Sequence, residues 1–251
     1  MNLSPAPGIA PWPSMLLAQT RIEVVLTLRR GESVLLTLGI PLVLLGFFTG
    51  VHVLPADGRT IDFLTPGILA LAVTSAGFTG LAIATGFERS YGVLRRLGTT
   101  PLPRWVLLAA KTLGVVLVEV VQALLIGGLA LALGWHPRGN PAGVLLLVVL
   151  GTAASCGLGL LMAGTLPALV TLAAANAVWL ALLLLGAVVF PASQLGALRG
   201  LSPALPTGAL AHGLRAVLQH GTAVPGRDVL VLLAWAVVAL GLAARTFRWS
   251  A

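Results

Sequence analysis

Residues 87–111, "FERSYGVLRRLGTTPLPRWVLLAAK", place Glu88, Arg89, Arg95, Arg96, Arg104 and Lys111 between two apolar runs. Their setting decides how they are read. Across all 251 residues the hydrophobic fraction is 58% and the charged fraction 9%, with a mean hydropathy of +1.03. A soluble domain of this length needs far more polar surface, so the sequence predicts an integral membrane protein. The stretch is then a polar turn joining two membrane spans.

A net charge of +8 would suggest a nucleic-acid partner in a soluble chain. Beside membrane spans the same cations act as topology markers, and no nucleic-acid partner is expected. The single cysteine, Cys156, lies in an apolar run, which excludes an internal disulfide. It has no Cys or His cluster around it, so no metal and no cofactor is expected in this chain.

A hydrocarbon core of ~30 Å needs about 20 apolar residues in a helix. Six segments qualify, at about 34–53, 65–86, 105–133, 143–163, 168–190 and 229–245. The break between the fourth and fifth rests on "GTLPAL", where Gly164 and Pro167 end one helix and begin another. Six spans put both termini on one side. That side carries Arg21, Arg29, Arg30, Arg89, Arg95, Arg96, Arg104, Lys111, Arg245 and Arg248. The other carries Arg59, Arg138, Arg199, Arg215 and Arg227. The excess places both termini and the 87–104 loop in the cytoplasm. Trp105, Trp135 and Trp249 sit near span ends, where an interfacial belt is expected, while Trp179 and Trp235 fall inside spans as packing residues.

The opening "MNLSPAPGIAPWPS" is Pro-rich and lacks the basic start of a signal peptide, so residues 1–14 are read as a flexible cytoplasmic tail. In 15–33, Gln19, Glu23, Thr27 and Arg30 recur at helical spacing, with Leu17, Val24, Val25 and Leu28 largely opposite. That pattern predicts an amphipathic helix lying on the membrane face, as an anchor or a docking element. Near the other end of the chain, 191–228 is too broken by Pro and Gly for one span, yet too apolar for an open loop. Short external re-entrant helices satisfy both conditions. The fold class expected is therefore all-α: a polytopic membrane protein with six transmembrane helices, an N-terminal interfacial helix, and short external helices before the last span.

Chemistry is sparse. No phosphate-cradling G-x-x-x-x-G-K-[ST] loop is present, so ATP is not expected to bind this chain. His52, His136, His212 and His220 map to outer positions without acids or cysteines completing a metal set. Ser75 and Ser155 are flanked by small residues, which suits helix packing better than a nucleophile. Glu119, with Gln122 a turn along, lies within the third span, where a carboxylate is costly and faces a partner, a cavity or a substrate path. Asn176 in the fifth span reads as interhelical glue or as part of the same path. "GFFTG" at 46–50 and "TAASCG" at 152–157 permit close helix approach.

Within 87–111 the order is informative: Glu88, Gly92, "LRRL", "TPLPRW", then Lys111, with Glu88–Leu97 expected as one short helix ended by Gly98 and the prolines. That order resembles the permease subunits of ABC-2 type exporters of the drug-resistance and lipid-export branches. Residues 186–221, with "GAVVFP", proline-bounded short helices and "LR…G", look like the same family's region after the fifth span. Gln194–Leu195–Gly196 departs from it, where many relatives carry another proline.

The resemblance implies an all-α domain over 15–251 and alternating access in a bacterial plasma membrane. It implies a second permease half, identical or homologous, and two copies of a separate ATPase subunit holding ATP and Mg. Phe87, Glu88, Arg89, Tyr91, Gly92, Leu94, Arg95, Arg96 and Leu97 would then couple to the ATPase. Gln19, Glu23, Arg29 and Arg30 would belong to the moving interfacial helix. Glu119, Gln122 and Asn176 become substrate-path candidates, and Phe190, Pro191, Pro203, Pro206 and Arg215 an external gate. A secondary transporter or channel is the rival reading, but no internal repeat or set of midspan charges supports it. An intramembrane enzyme lacks an assembled acid, base and nucleophile.

Overall fold

The computed structural model describes residues 10–29, 31–51 and 59–246, and leaves the side chains of residues 28, 31–37 and 51 undescribed. Most of the expected tail, together with Arg30, His52, Arg248 and Trp249, lies outside the described residues. The elements in order are α1 (Trp12–Arg29), α2 (Gly31–Val51), α3 (Thr60–Thr74), a π-helical turn (Ser75–Gly80), α4 (Leu81–Ser90) and α5 (Val93–Leu97). Then follow α6 (Arg104–Ala132), α7 (Pro141–Thr165), α8 (Ala168–Leu185), two 3₁₀ turns (Ala192–Gly200 and Ser202–Ala204), α9 (Pro206–Leu218) and α10 (Gly226–Thr246). No strand occurs among the described residues.

Among the described residues five stretches are long and apolar enough to span a membrane: Thr60–Ser90, Arg104–Ala132, Pro141–Thr165, Ala168–Leu185 and Gly226–Thr246. The first expected span, 34–53, coincides with α2, whose described apolar stretch is Leu38–Gly50. At ~1.5 Å per residue α6 is about 44 Å long, so its ends project past a ~30 Å hydrocarbon core. The fifth span stops at Leu185 rather than at 190. There the chain turns through Ala187, at a φ of 52°, and the turn is held from outside by Arg215.

Helix α7 is central, packing against α10, α4, α9 and the π turn. Small residues permit this. A Cβ on Gly157 would lie 2.9 Å from the Leu240 nitrogen, and one on Gly77 would lie 2.9 Å from the Ser155 Cβ. The small-residue run at 152–157 and Ser155 are therefore packing surfaces. Gly46 and Gly50 of "GFFTG" behave differently: among the described residues nothing lies within 4 Å of a Cβ at either.

Asn140 starts α7, accepting the Ala142 amide at 3.0 Å, with Pro141 in the first helical position. At this end of the bundle α9 packs on α3, α7 and α10, around a core that includes Leu64, Ile68, Leu147, Leu210 and Leu214. At the opposite end Leu81, Leu94, Leu107, Cys156 and Leu160 form a second core beneath α5. Trp135 departs from the expected interfacial belt. It is 6% exposed, packed into the first core by the chain reversal after α6. Trp105 is half exposed, its ring 5.6 Å from Trp12. Trp179 packs against the core as expected and donates to Ser75 Oγ, whereas Trp235 is only partly buried and donates to the Ala204 carbonyl at the surface.

Candidate functional site

The charged stretch folds as two helices rather than one. Helix α4 runs out of the second span to Ser90, and Gly92 then takes a φ of 72° before α5 begins at Val93. A left-handed residue breaks the helix hydrogen-bond run, and glycine adopts it at little cost. The break separates the charges into two groups. Glu88 and Arg89, on the α4 side, are buried; Arg95 and Arg96, on α5, are exposed. Leu94 is fully buried between them and anchors α5 to the second core. Tyr91 is 73% exposed, with its ring 5.9 Å from that of Phe87. Leu97 packs against the core, and Gly92 supplies only the turn.

The buried pair joins helices. Arg89 donates to the Gly164 and Leu166 carbonyls, at 2.6 and 2.5 Å, where α7 ends. A guanidinium there satisfies carbonyls that the helix leaves open and meets the negative end of its dipole. Glu88 receives the Lys111 ammonium at 2.5 Å, and Lys111 also reaches Glu23 of α1 at 3.0 Å. Gln19 donates to the same Glu23 carboxylate at 2.9 Å. Gly114 admits α1 closely, since a Cβ there would lie 3.2 Å from that of Glu23. One lysine thus fastens α1, α4 and α6 together.

Helix α1 consequently turns its polar stripe inward. Gln19 is buried and Glu23 half-buried against α6, while Leu17, Ile22, Val25 and Leu26 are exposed. In a bilayer such an outward apolar face is the one that lipid covers. Arg29 is exposed at the end of the helix.

Beside the lysine cluster is a cavity of about 340 Å³, walled by α1, α2, α3, the π turn, α4, α6 and α8. Asn176 lines it, as do Ser75, Thr79 and Trp179. Glu119 and Gln122 are not in its wall. Glu119 accepts a hydrogen bond from Thr152 of α7 at 2.6 Å, and Gln122 is buried one turn further along α6. The structure therefore separates the three substrate-path candidates and places only Asn176 at a cavity. Glu119→Gln, which keeps an acceptor toward Thr152, is expected to preserve the yield of folded protein. Glu119→Leu removes the α6–α7 hydrogen bond and is expected to cost about 1 kcal/mol. Thermal unfolding of the two variants in detergent checks the difference.

The external candidates are dispersed too. The Arg215 side chain turns inward, donating to the Phe63, Ala187 and Val188 carbonyls at 3.2, 2.8 and 2.5 Å. It also sits 3.9 Å above the Phe63 ring. It is a staple for the turn after α8. Pro206 opens α9 and is buried, and Pro203 lies in the short 3₁₀ turn before it. Pro191 precedes the longer 3₁₀ turn, while Phe190 is partly exposed and meets Phe48 edge-on at 6.1 Å. Two contacts were not anticipated from the sequence: His212 to Asp228 at 2.7 Å, and Lys111 to Glu23 across 88 positions.

A bundle of apolar helices with a charged, lysine-fastened end and a partly polar cavity defines a polytopic α-helical membrane protein. The chain belongs to the ABC-2 transporters: the family described as "ABC-2 family transporter protein" matches residues 55–245. It is thus the membrane permease component of an ABC transporter, and membership implies an ABC ATPase as partner. The match begins after α1 and α2, so those two helices stand outside it. No curated protein matches the chain.

Proposed function

We propose that this chain is the transmembrane subunit of an ATP-driven exporter. It moves a hydrophobic or amphipathic substrate, such as a drug, a lipid or a lipid-linked molecule, outward across the plasma membrane of a bacterium. A separate ATPase binds ATP and Mg and docks in two copies on two permease halves, with both termini of the chain in the cytoplasm. The supporting observation is the division of the 87–97 segment. Tyr91, Arg95 and Arg96 form an exposed polar ridge, as a docking surface for a soluble partner requires, and Leu94 seats it in the core. Below the ridge, Glu88 and Arg89 carry its displacement to α1, α6 and α7. Charges on such a rim set recognition and register more than affinity.

Reversing both arginines (Arg95→Glu with Arg96→Glu) tests the reading. Both side chains are exposed, so insertion and folded yield should be unchanged. Permease-stimulated ATPase activity and transport in reconstituted vesicles should each fall at least tenfold. Undiminished transport in a normally inserted variant would overturn the coupling role.

A further inference from the structure

The cavity beside the lysine cluster shares Glu23, Glu88 and Lys111 with the proposed coupling path, and its chemistry is uneven. Most of its wall is apolar: Leu26, Leu38, Ile40 and Pro41 from α1 and α2, and Leu81, Ile83, Val115 and Val118 from α4 and α6. Glu23, Glu88 and Lys111 close one end. Ser75, Thr79, Asn176 and Trp179 form a second polar group in the wall. A volume of about 340 Å³ lies at the lower end of the usual range for small-molecule sites.

Three observations argue that this space takes a ligand. The π turn Ser75–Gly80 supplies four wall residues, Ser75, Ala76, Thr79 and Gly80, and single π turns inside α-helices are frequent at functional sites. The Thr79 hydroxyl is buried without a hydrogen-bond partner among the described residues. An unmet buried hydroxyl is costly, and a turn of the Thr79 side chain toward the cavity it lines lets an occupant satisfy it. Asn176 is exposed and spends its amide donor on the Leu172 carbonyl of its own helix, which keeps it at the cavity margin. An amide there has no place against lipid tails and belongs with a polar occupant.

The charged end sets the sign. Lys111 is the chain's single lysine, and its ammonium is already within 3.1 Å of three carboxylate oxygens on Glu23 and Glu88. An anionic head entering there would meet carboxylates with the lysine already committed. We infer that this cavity within one permease chain binds an amphiphile that carries no net negative charge. Its apolar body would lie along α2 and the Trp179 ring, and its hydrogen-bonding head would lie toward Thr79, Asn176 and the Glu23–Lys111–Glu88 cluster. The inference rests on the exporter reading for the purpose of the binding, but not for the binding itself.

The test uses the full chain in lipid nanodiscs without ATP or ATPase, so it stands apart from the coupling test. The probes are two amphiphiles with the same short brominated acyl chain, one a glycerol ester and one a free carboxylate. Bromine quenches indole fluorescence on contact, and Trp179 lines the cavity. Subtracting the signal of Trp179→Phe isolates that residue. The glycerol ester should give saturable Trp179-dependent quenching, at a concentration at least tenfold below the carboxylate. Ala84→Phe, which fills the cavity from α4, should abolish it. Thr79→Val, nearly isosteric and folding independently of that bulk, should weaken it several-fold. Absence of saturable Trp179 quenching, equal or tighter binding of the carboxylate, or indifference to Thr79→Val in folded protein would each overturn the inference. Binding that persists when the Arg95 and Arg96 reversal leaves transport intact would sink the coupling role and leave this site standing.

Discussion

Lys111→Met should destabilise the protein by about 3–5 kcal/mol, the range for removing one partner of a buried ion pair. The lysine side chain is 1% exposed, and the Glu23 and Glu88 side chains 12% and 11%. Methionine fills the volume, so the loss is electrostatic rather than a cavity effect. It leaves Glu23 half-buried without its cation and takes from Glu88 its closest partner. Chemical unfolding in detergent measures the loss. Adding Glu23→Gln and Glu88→Gln to Lys111→Met should recover most of it, because neutral groups of similar shape remove the uncompensated charge. A loss below about 1 kcal/mol would mean that the cluster behaves like an exposed pair, held open by water. In the recovered triple variant, transport reports separately on whether charge, rather than packing, ties α1 to the coupling end.

The membrane architecture was legible from composition because every span is about one apolar run long, and lipid imposes that length on the helix. Loop charges were legible as a group for the same reason. Their division was not. The sequence shows Glu88, Arg89, Arg95 and Arg96 as near neighbours, and only the left-handed Gly92 turns one pair inward and the other outward. Helix α1 illustrates a related limit. Its periodicity separated Gln19 and Glu23 from the exposed Leu17 and Val25, but in a membrane protein the polar face is not bound to meet water. Lys111, 88 residues away from Glu23, decides that it faces α6. Trp135 was misplaced because a tryptophan near a span end suits either an interface or a core, and the reversal after α6 chose the core. The cavity could not be read at all. It is assembled from α1, α2, α3, the π turn, α4, α6 and α8, and although Glu23, Glu88, Lys111 and Asn176 each carried a mark in sequence, nothing there brought them to one space. The π turn itself leaves little signal beyond the small residues of "SAGFTG".

That turn makes Gly159→Val a strongly damaging packing change inside the spans. A Cβ on Gly159 of α7 would sit 2.8 Å from the carbonyl oxygens of Gly77 and Phe78. Both are backbone atoms of the π turn, so no side-chain rotation relieves the clash. Overpacking a core costs about 1–3 kcal/mol when side chains move aside. Here α7 must separate from the second span, so Gly159→Ala is expected at about 3 kcal/mol and the valine variant above it. Gly127 of α6 is the control. Nothing lies within 4 Å of its Cβ, and alanine there should be neutral or favourable by up to about 1 kcal/mol through helix propensity. Thermal unfolding of the three variants in one detergent decides the matter. Equal stability of Gly159→Ala and Gly127→Ala would mean that α7 does not meet the π turn in this register. A wide gap would fix the second and fourth spans against each other at the carbonyls that also back the cavity wall, so loss of Trp179-dependent quenching should accompany it.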